Sequence, residues 1–252
     1  MKQVVSIRRI AIVLFWLAVW QLAGLAIRND IIFAGPADVA RSFAALLPDP
    51  GFWISIGWSF GKILAGFFLA FLSGVLLGSL AFRFRFLKEL LEPVITLAKS
   101  IPVASFVILA LIWIGSANLS VFISFLVVLP MIYVNTIAGL ESTDEKLVEM
   151  ARVFSLPLPR RIRFLYIPAL TPYLVSSCRI ALGMSWKSGI AAEVIGVPAH
   201  TIGERLYMAK IYLATSDVFA WTIVIILISS LFERLFLRLL EQGARWNERS
   251  RL

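Results

Sequence analysis

Five ionisable side chains lie inside strongly apolar stretches of this sequence, and their chemistry stands out first. They are Lys62, Lys99, Arg179, Lys187 and Glu193. A charge in the hydrocarbon core of a membrane is costly unless it is paired, reaches the interface or faces water. These residues are therefore candidates for a solute pathway. Because four are cations and one is a carboxylate, the pathway would favour an anionic solute.

A purely structural interpretation of the same residues stays open. Lys62 and Arg179 would reach the membrane interface or pair near the ends of their helices, while Lys187 and Glu193 would bridge turns of one helix. Catalytic chemistry has less support. The single histidine, His200, has no Cys or His nearby in the sequence to complete a metal site. The single cysteine, Cys178, allows no intrachain disulfide, and we interpret it as a packing residue.

Composition defines the class of protein. Hydrophobic residues make up 60% of the chain and charged residues 15%, with a mean hydropathy of +0.89. A chain with so little polar surface is an integral membrane protein, and its long apolar windows predict an all-α fold. The net charge of +9 does not indicate nucleic-acid binding, because the charges lie between apolar spans and form no soluble basic face.

The apolar windows predict about six transmembrane helices. They cover Ile10 to Ile27, Ile56 to Phe82, Leu90 to Ile114, Leu119 to Leu140, Pro168 to Val197 and Val218 to Leu240. The basic N-terminus resembles a signal peptide, but the apolar run after it is too long, so we predict a retained first span. With the N-terminus in the cytoplasm, most of the 24 Lys and Arg residues lie inside. Both termini are then cytoplasmic.

Glycine and proline predict several local features. Gly35-Pro36 begins a short amphipathic helix that runs through Leu47 on the outer surface and is stopped by Pro48-Asp49-Pro50-Gly51. Small residues four apart predict close helix packing in the second span; they are Gly57, Gly61, Gly74 and Gly78. Three prolines predict kinks in spans three, four and five; they are Pro102, Pro130 and Pro172.

The loop between spans four and five is predicted to form an amphipathic helix. Ser142 and Glu145 have the spacing of a capping box, and Pro157 and Pro159 would end the helix. Apolar residues recur at helical spacing on a segment that faces the cytosol; they are Leu147, Met150, Ala151 and Phe154. Either a partner covers this stripe, or it packs on the chain's own helix ends while Arg160, Arg161 and Arg163 contact anionic lipid.

One motif in this loop carries a family resemblance. Glu149-Met150-Ala151 is followed after three residues by Ser155 and after nine more by Leu165-x-Ile167-Pro168. This spacing resembles the Glu-Ala-Ala loop of bacterial ABC importer permeases, whose pattern is Glu-Ala-Ala, three residues, Gly, nine residues, Ile-x-Leu-Pro. Met150 replaces the second alanine and Ser155 the glycine. Serine adopts a left-handed turn less readily than glycine, which affects the bend after the helix.

The resemblance extends over nearly the whole chain and is closest to the nitrate, sulfonate and taurine permeases. The segments that carry it are Gly35-Pro36, Lys99-Ser100-Ile101-Pro102, Trp186-Lys187 and Ala191-Ala192-Glu193. It implies a type I ABC importer transmembrane fold in the bacterial cytoplasmic membrane. Partners would be two ABC ATPase subunits, a second and identical permease subunit, an extracytoplasmic solute-binding protein and membrane lipid. The chain itself would bind no cofactor and hydrolyse no ATP, since ATP and Mg²⁺ would bind to the ATPase.

The resemblance also assigns roles in the loop. Glu149 would be the polar anchor in a groove of the ATPase, and Met150, Ala151 and Phe154 would fill that groove. The complete set of expected ATPase-coupling residues is Leu147, Glu149, Met150, Ala151, Phe154, Ser155 and Pro168. The solute would be small and anionic, such as a sulfonate, taurine or nitrate. A pyrimidine-type or other small organic solute is the alternative within the family.

The chain divides into three expected regions. Residues 1–54 form the first span and the outer amphipathic helix, residues 55–241 form the transmembrane core with a coupling helix at 142–156, and residues 242–252 form a basic cytoplasmic tail. A secondary carrier driven by an ion gradient is the alternative from another class. Such carriers usually contain an inverted repeat with paired broken helices, and we find no repeat of this kind in the sequence.

Overall fold

A computed structural model shows that the chain is built from helices. It describes the backbone of residues 2–27, 29 and 31–249 and the side chains of residues 8, 10–27, 29, 31–240 and 242. The helices are α1 (Lys2–Ile27), α2 (Pro36–Leu46), α3 (Pro50–Arg83), α4 (Arg85–Ser100), α5 (Val103–Ile114), α6 (Leu119–Glu141), α7 (Glu145–Val153), α8 (Leu158–Arg161), α9 (Ile167–Gly196), α10 (Ile202–Ile211) and α11 (Thr215–Arg249), with a π-helical turn at Ile162–Tyr166. The described residues contain no strand, and the predicted all-α class is confirmed.

Four helical stretches are long and apolar enough to cross a membrane. They are Ile10–Ile27, Pro50–Arg83, Leu119–Glu141 and Leu158–Gly196. Helices α4 and α5 add a fifth span if the bent pair crosses together. By length and composition, the described residues thus give four or five spans where the sequence predicts six. The sixth predicted span, Val218 to Leu240, lies within α11, which packs against α2, α9 and α10.

The centre of the molecule is formed by α3, α6 and α9, which make most of the contacts between helices. Phe67 of α3, Val128 and Ile132 of α6, and Cys178 and Leu182 of α9 are all buried there. Inside a membrane, lipid is as apolar as these side chains, so close packing rather than exclusion of water holds the helices together. The position of Cys178 agrees with its interpretation as a packing residue.

Two of the four predicted packing glycines lie at a helix interface. A Cβ atom at Gly74 would lie 2.8 Å from the Ile132 Cβ, and one at Gly78 would lie 2.8 Å from the Thr136 Cβ. Both positions therefore need glycine to bring α3 against α6. A Cβ at Gly57 or Gly61 would meet no described atom within 4 Å. Among the residues that the structure describes, the close packing predicted for those two glycines is absent.

Proline breaks only one of the three spans in which a kink is predicted. Ile101 takes an extended conformation (φ −70°, ψ 128°), because the residue before proline avoids the helical region. Helices α4 and α5 consequently meet at 109°, so the kink predicted at Pro102 within the span from Leu90 to Ile114 is confirmed. Helices α6 and α9 run on through Pro130 and Pro172.

The predicted outer helix is present as α2, with Pro36 in its first turn. The segment after it does more than stop the helix. Asp49 caps α3 by accepting a hydrogen bond from the Gly51 N–H at 2.9 Å, and Pro50 occupies the first turn, where its missing N–H has no cost. Helix α3 therefore begins six residues before the start predicted at Ile56.

Candidate docking helix and membrane charges

Helix α7 is shorter than predicted and has a different N-cap. The Asp144 carboxylate accepts a hydrogen bond from the backbone N–H of Lys146 at 2.9 Å. The Ser142 hydroxyl instead donates to the Gly139 carbonyl at 2.8 Å. The predicted capping box is therefore wrong. Only three residues separate α6 from α7, so Ser142 ends the first helix and the adjacent aspartate starts the second.

A left-handed residue ends α7. Ser155 has a φ of +51°, in the region that favours glycine. Its N–H donates to the Arg152 carbonyl at 3.0 Å, and the N–H of Leu156 donates to the Ala151 carbonyl at 2.9 Å. These two bonds form a Schellman motif. Serine thus adopts a left-handed turn at the position where the family pattern has glycine. The helix ends before the prolines that the sequence predicts as its end.

Large apolar side chains are exposed along α7 and the turn after it. Met150, Val153, Phe154 and Leu158 expose 46, 79, 71 and 65% of their surface, and together they are termed the α7 apolar patch. Leu147, one turn earlier on the helix, is also exposed. A contiguous exposed apolar surface of this kind usually marks an interaction site.

The sequence reasoning misses two members of the α7 apolar patch. Val153 lies three residues after Met150, and this spacing places both on one helix face, so the signal for Val153 is present in the sequence. Leu158 lies beyond the turn at Ser155. Helical periodicity does not extend across that turn, and no sequence signal predicts the exposure of Leu158.

Ala151 and Pro168 have environments that differ from the rest of the predicted coupling set. Ala151 is fully buried in its own chain, which does not fit the expectation that it fills a partner's groove. Pro168 is half-buried in the first turn of α9. Proline has no N–H to donate. The chain enters α9 through the π-helical turn, in which the Ile167 N–H donates to the Ile162 carbonyl.

Glu149 is exposed and lines an acidic cavity of about 430 Å³ beside α7. Three carboxylates and one guanidinium supply the charged groups of this cavity, which are Glu141, Glu145, Glu149 and Arg152. Glu141 is paired with Lys88 at 2.8 Å, so Glu145 and Glu149 outnumber Arg152 by one charge, and this excess suits a cationic side chain from another protein. Glu149 therefore combines with the α7 apolar patch into a surface that has both a polar anchor and apolar contacts.

The four predicted membrane cations lie on three different helices. Lys62 of α3 is half-buried beside an open groove of about 500 Å³, with its Nζ 5.7 Å from the centre of the Trp58 ring. Lys99 is exposed near the end of α4, and Arg179 and Lys187 are exposed on α9. Among the described residues, none of the four forms an ion pair.

The side chain of Glu193 connects neighbouring helices through hydrogen bonds. It is fully buried, and its Oε2 accepts hydrogen bonds from the Ser59 hydroxyl at 2.6 Å and the Gly203 N–H at 3.2 Å. The Ser59 hydroxyl in turn accepts from the Ile202 N–H at 2.8 Å. The carboxylate therefore ties the start of α10 to α9 and α3. Among the described residues Glu193 forms no ion pair with Lys187, so the bridge that the structural interpretation predicts is wrong.

The sequence contains only part of the signal for this arrangement. A Cβ atom at Gly203 would lie 2.2 Å from the Glu193 Cβ, so only glycine permits this close approach of α10. Thr201 caps the helix by accepting from the Glu204 N–H at 3.2 Å, and a Thr-x-x-Glu sequence is a recognisable helix start. Nothing in the sequence connects that start to Ser59, far earlier in the chain.

Comparison with known proteins gives a consistent result. The family model described as "Binding-protein-dependent transport system inner membrane component" matches residues 63–246. The putative aliphatic sulfonates transport permease protein SsuC of Escherichia coli (strain K12) is 30% identical over 231 residues, which cover 88% of this chain and 87% of the relative. The taurine transport system permease protein TauC of the same organism is 26% identical, with 85% and 80% covered. The nitrate import permease protein NrtB of Synechococcus elongatus is 28% identical, with 71% and 68% covered.

Proposed function

Because this chain belongs to the family of binding-protein-dependent transport system inner membrane components, in the nitrate, sulfonate and taurine group of ABC importer permeases, we propose that it forms half of a pathway for a small anionic solute. The observation that carries this proposal is α7, which presents the α7 apolar patch and Glu149 together on a capped helix between α6 and α9.

The α7 surface is the proposed docking site for an ABC ATPase. Met150, Val153 and Phe154 enter an apolar groove of that partner, and Glu149 pairs with one of its cations. ATP and Mg²⁺ bind to the ATPase, and its closure moves α7 as a unit because both ends of the helix are fixed by hydrogen bonds. This chain then has no catalytic residue and transmits the work of ATP hydrolysis.

The assembly follows from this docking site. Each chain carries one α7, so an ATPase dimer requires a second permease subunit, which we propose to be identical. An extracytoplasmic binding protein delivers the solute. The segregation of Lys and Arg supports a cytoplasmic location for α7 and both termini. The exposed apolar side chains of α1, among them Leu14, Phe15 and Trp16, lie against lipid or the second subunit.

The anionic character of the solute rests on the uncompensated cations. Lys99, Arg179 and Lys187 are exposed without ion-pair partners among the described residues, whereas the carboxylate of Glu193 is fully buried and its Oε2 accepts two hydrogen bonds. An excess of accessible positive charge favours passage of an anion. The names of the relatives, which refer to sulfonates, taurine and nitrate, agree with this.

Affinity purification of the tagged chain from its native membrane, with mass spectrometry and stoichiometry of the proteins retained, tests the proposal. We expect an ABC ATPase at equal copy number with the permease. A binding protein that is retained with the ATPase, or encoded beside it, would then be the one to screen for a solute. Reproducible isolation of the intact permease without an ATPase would contradict the proposal and favour a stand-alone carrier.

A further inference from the structure

Arginine and phenylalanine alternate at the end of α3 and occur together again before α9. Residues 82–86 read Phe-Arg-Phe-Arg-Phe, and residues 160–164 read Arg-Arg-Ile-Arg-Phe. Phe84, Phe86 and Phe164 expose 52, 75 and 43% of their surface. Exposed arginines beside exposed aromatic rings are typical of the boundary between lipid headgroups and acyl chains.

A contact between two aromatic rings brings these two segments together. The ring centres of Phe82 in α3 and Tyr166 in the π-helical turn are 6.0 Å apart. Arg83 directly follows Phe82, and Arg163 lies three residues before Tyr166. Both arginines therefore lie within about one helical turn of the ring contact, on neighbouring segments.

Both guanidinium groups lie over aromatic rings and have no carboxylate partner. The Arg83 Cζ is 5.4 Å from the centre of the Phe84 ring, and the Arg163 Cζ is 5.7 Å from the centre of the Phe164 ring. Both arginines are exposed, and neither forms an ion pair within the described part of the chain. Each can therefore donate to an anion, and a guanidinium matches two oxygens of one phosphate group.

The length of α3 places these arginines at the level of the lipid headgroups. The helix has 34 residues, which gives about 51 Å at 1.5 Å per residue. A bilayer with its headgroups is about 40–45 Å thick, so a helix of this length that crosses the membrane has both ends among or just beyond the headgroups. Arg83 is the last residue of α3, and the contact between Phe82 and Tyr166 brings Arg163 to the same level.

We propose that Arg83, Phe84, Arg163 and Phe164 form a site for one anionic phospholipid. The two guanidinium groups donate to the phosphodiester oxygens, and the two rings pack against the glycerol and the first carbons of the acyl chains. Phosphatidylcholine binds less well, because its choline cation is repelled by the arginines. The site requires only that α3 and α9 cross the membrane, and it does not depend on the proposed ATPase.

Native mass spectrometry of the full-length chain in a nonionic detergent tests this site. The probes are dioleoylphosphatidylglycerol, dioleoylphosphatidylcholine and glycerophosphoglycerol, which has the anionic headgroup but no acyl chains. The measured quantity is the Kd of the first molecule bound. We expect phosphatidylglycerol to bind about tenfold more tightly than phosphatidylcholine. Glycerophosphoglycerol should not bind at the same concentrations, because it has no apolar part to pack against the rings.

Substitutions separate this site from a general attraction of anionic lipid to a basic surface. Arg83→Gln and Arg163→Gln should each weaken the binding of phosphatidylglycerol about tenfold. Phe84→Ala should also weaken it, although the charge is unchanged. Arg238→Gln is the matched control, because it removes the same charge from an exposed arginine on α11, and it should leave the Kd native. The substituted residues are exposed, so the midpoint of thermal unfolding without lipid should stay native in every variant.

Three results would overturn the lipid site. Glycerophosphoglycerol that binds as tightly as phosphatidylglycerol would make it a site for free phosphate esters. An equal loss of affinity in Arg238→Gln and Arg83→Gln would reduce it to non-specific attraction. A native Kd in both Arg83→Gln and Arg163→Gln would remove the arginines from lipid binding, and a loss of the ATPase from the same variants would then assign them to a protein interface. The proposed function stands whichever of these results is found.

Discussion

The Glu193 carboxylate holds three helices together at one point. We predict that Glu193→Ala destabilises the purified protein by about 1–3 kcal/mol, because it leaves the Gly203 N–H and the Ser59 hydroxyl buried without their acceptor. Glu193→Gln keeps a carbonyl oxygen in the same place and should have a smaller effect. The midpoint of thermal unfolding in detergent measures both. If the alanine variant keeps native stability but loses transport, the structural role is contradicted and Glu193 acts in the solute pathway.

Glu149 is predicted to act on the partner rather than on the fold. It is exposed at the acidic cavity, so Glu149→Lys should leave insertion and folding intact while it places a cation where the ATPase supplies one. We expect recovery of the ATPase on purification to fall about tenfold, which corresponds to about 1.4 kcal/mol. Glu89→Lys, on the exposed face of α4, is the matched control. Undiminished ATPase recovery with Glu149→Lys would remove Glu149 from the interface.

At the scale of the element, the end of α7 depends on the left-handed conformation of Ser155. Ser155→Gly should stabilise this turn by about 1 kcal/mol, and Ser155→Val should destabilise it, because a β-branched residue resists positive φ. Hydrogen exchange of the Ser155 and Leu156 amides, which make the two Schellman bonds, measures the effect. Exchange should be slower than native in the glycine variant and faster in the valine variant. Equal rates in all three would show that this turn does not limit the opening of α7.

The elements differ in how well the sequence predicts them. The apolar runs of α1, α3, α6 and α9 are long enough to specify membrane helices by length alone, and Pro36 correctly predicts α2. The capping box predicted at Ser142 is wrong, because two helix ends lie three residues apart. Ser142 ends the first helix instead of starting the second. At Pro102 the sequence correctly predicts a kink, but it does not predict the size of the bend, which is 109°.

Long-range contacts are the part that the sequence does not predict. Helical spacing places Met150 and Phe154 on one face of α7, and both are exposed there. The same spacing gives no warning that Ala151 faces inward, since its burial depends on how α7 lies against the rest of the chain. For Glu193 the sequence likewise offers only Lys187 of the same helix as a partner, because the actual partner, Ser59, lies on a different helix.

For the molecule as a whole, the membrane cations should affect transport but not assembly. We predict that Lys99→Met and Lys187→Met each reduce solute uptake by about tenfold, which is about 1.4 kcal/mol of lost interaction, while recovery of the ATPase stays native. Both side chains are exposed in the single chain, so neither substitution should disturb the core. Lys210→Met, on the exposed side of α10, is the matched control. Native uptake by both variants would remove these lysines from the pathway.

The most direct test of the central claim is photocrosslinking from α7 in intact cells. A photoreactive benzoylphenylalanine replaces Val153, the most exposed residue of the α7 apolar patch at 79%, and in a control it replaces Ile112 of α5, which is 74% exposed. Mass spectrometry identifies the crosslinked protein. The α7 docking site predicts an ABC ATPase from Val153 and none from Ile112. Crosslinks from Val153 only to lipid or to the permease itself would contradict the account.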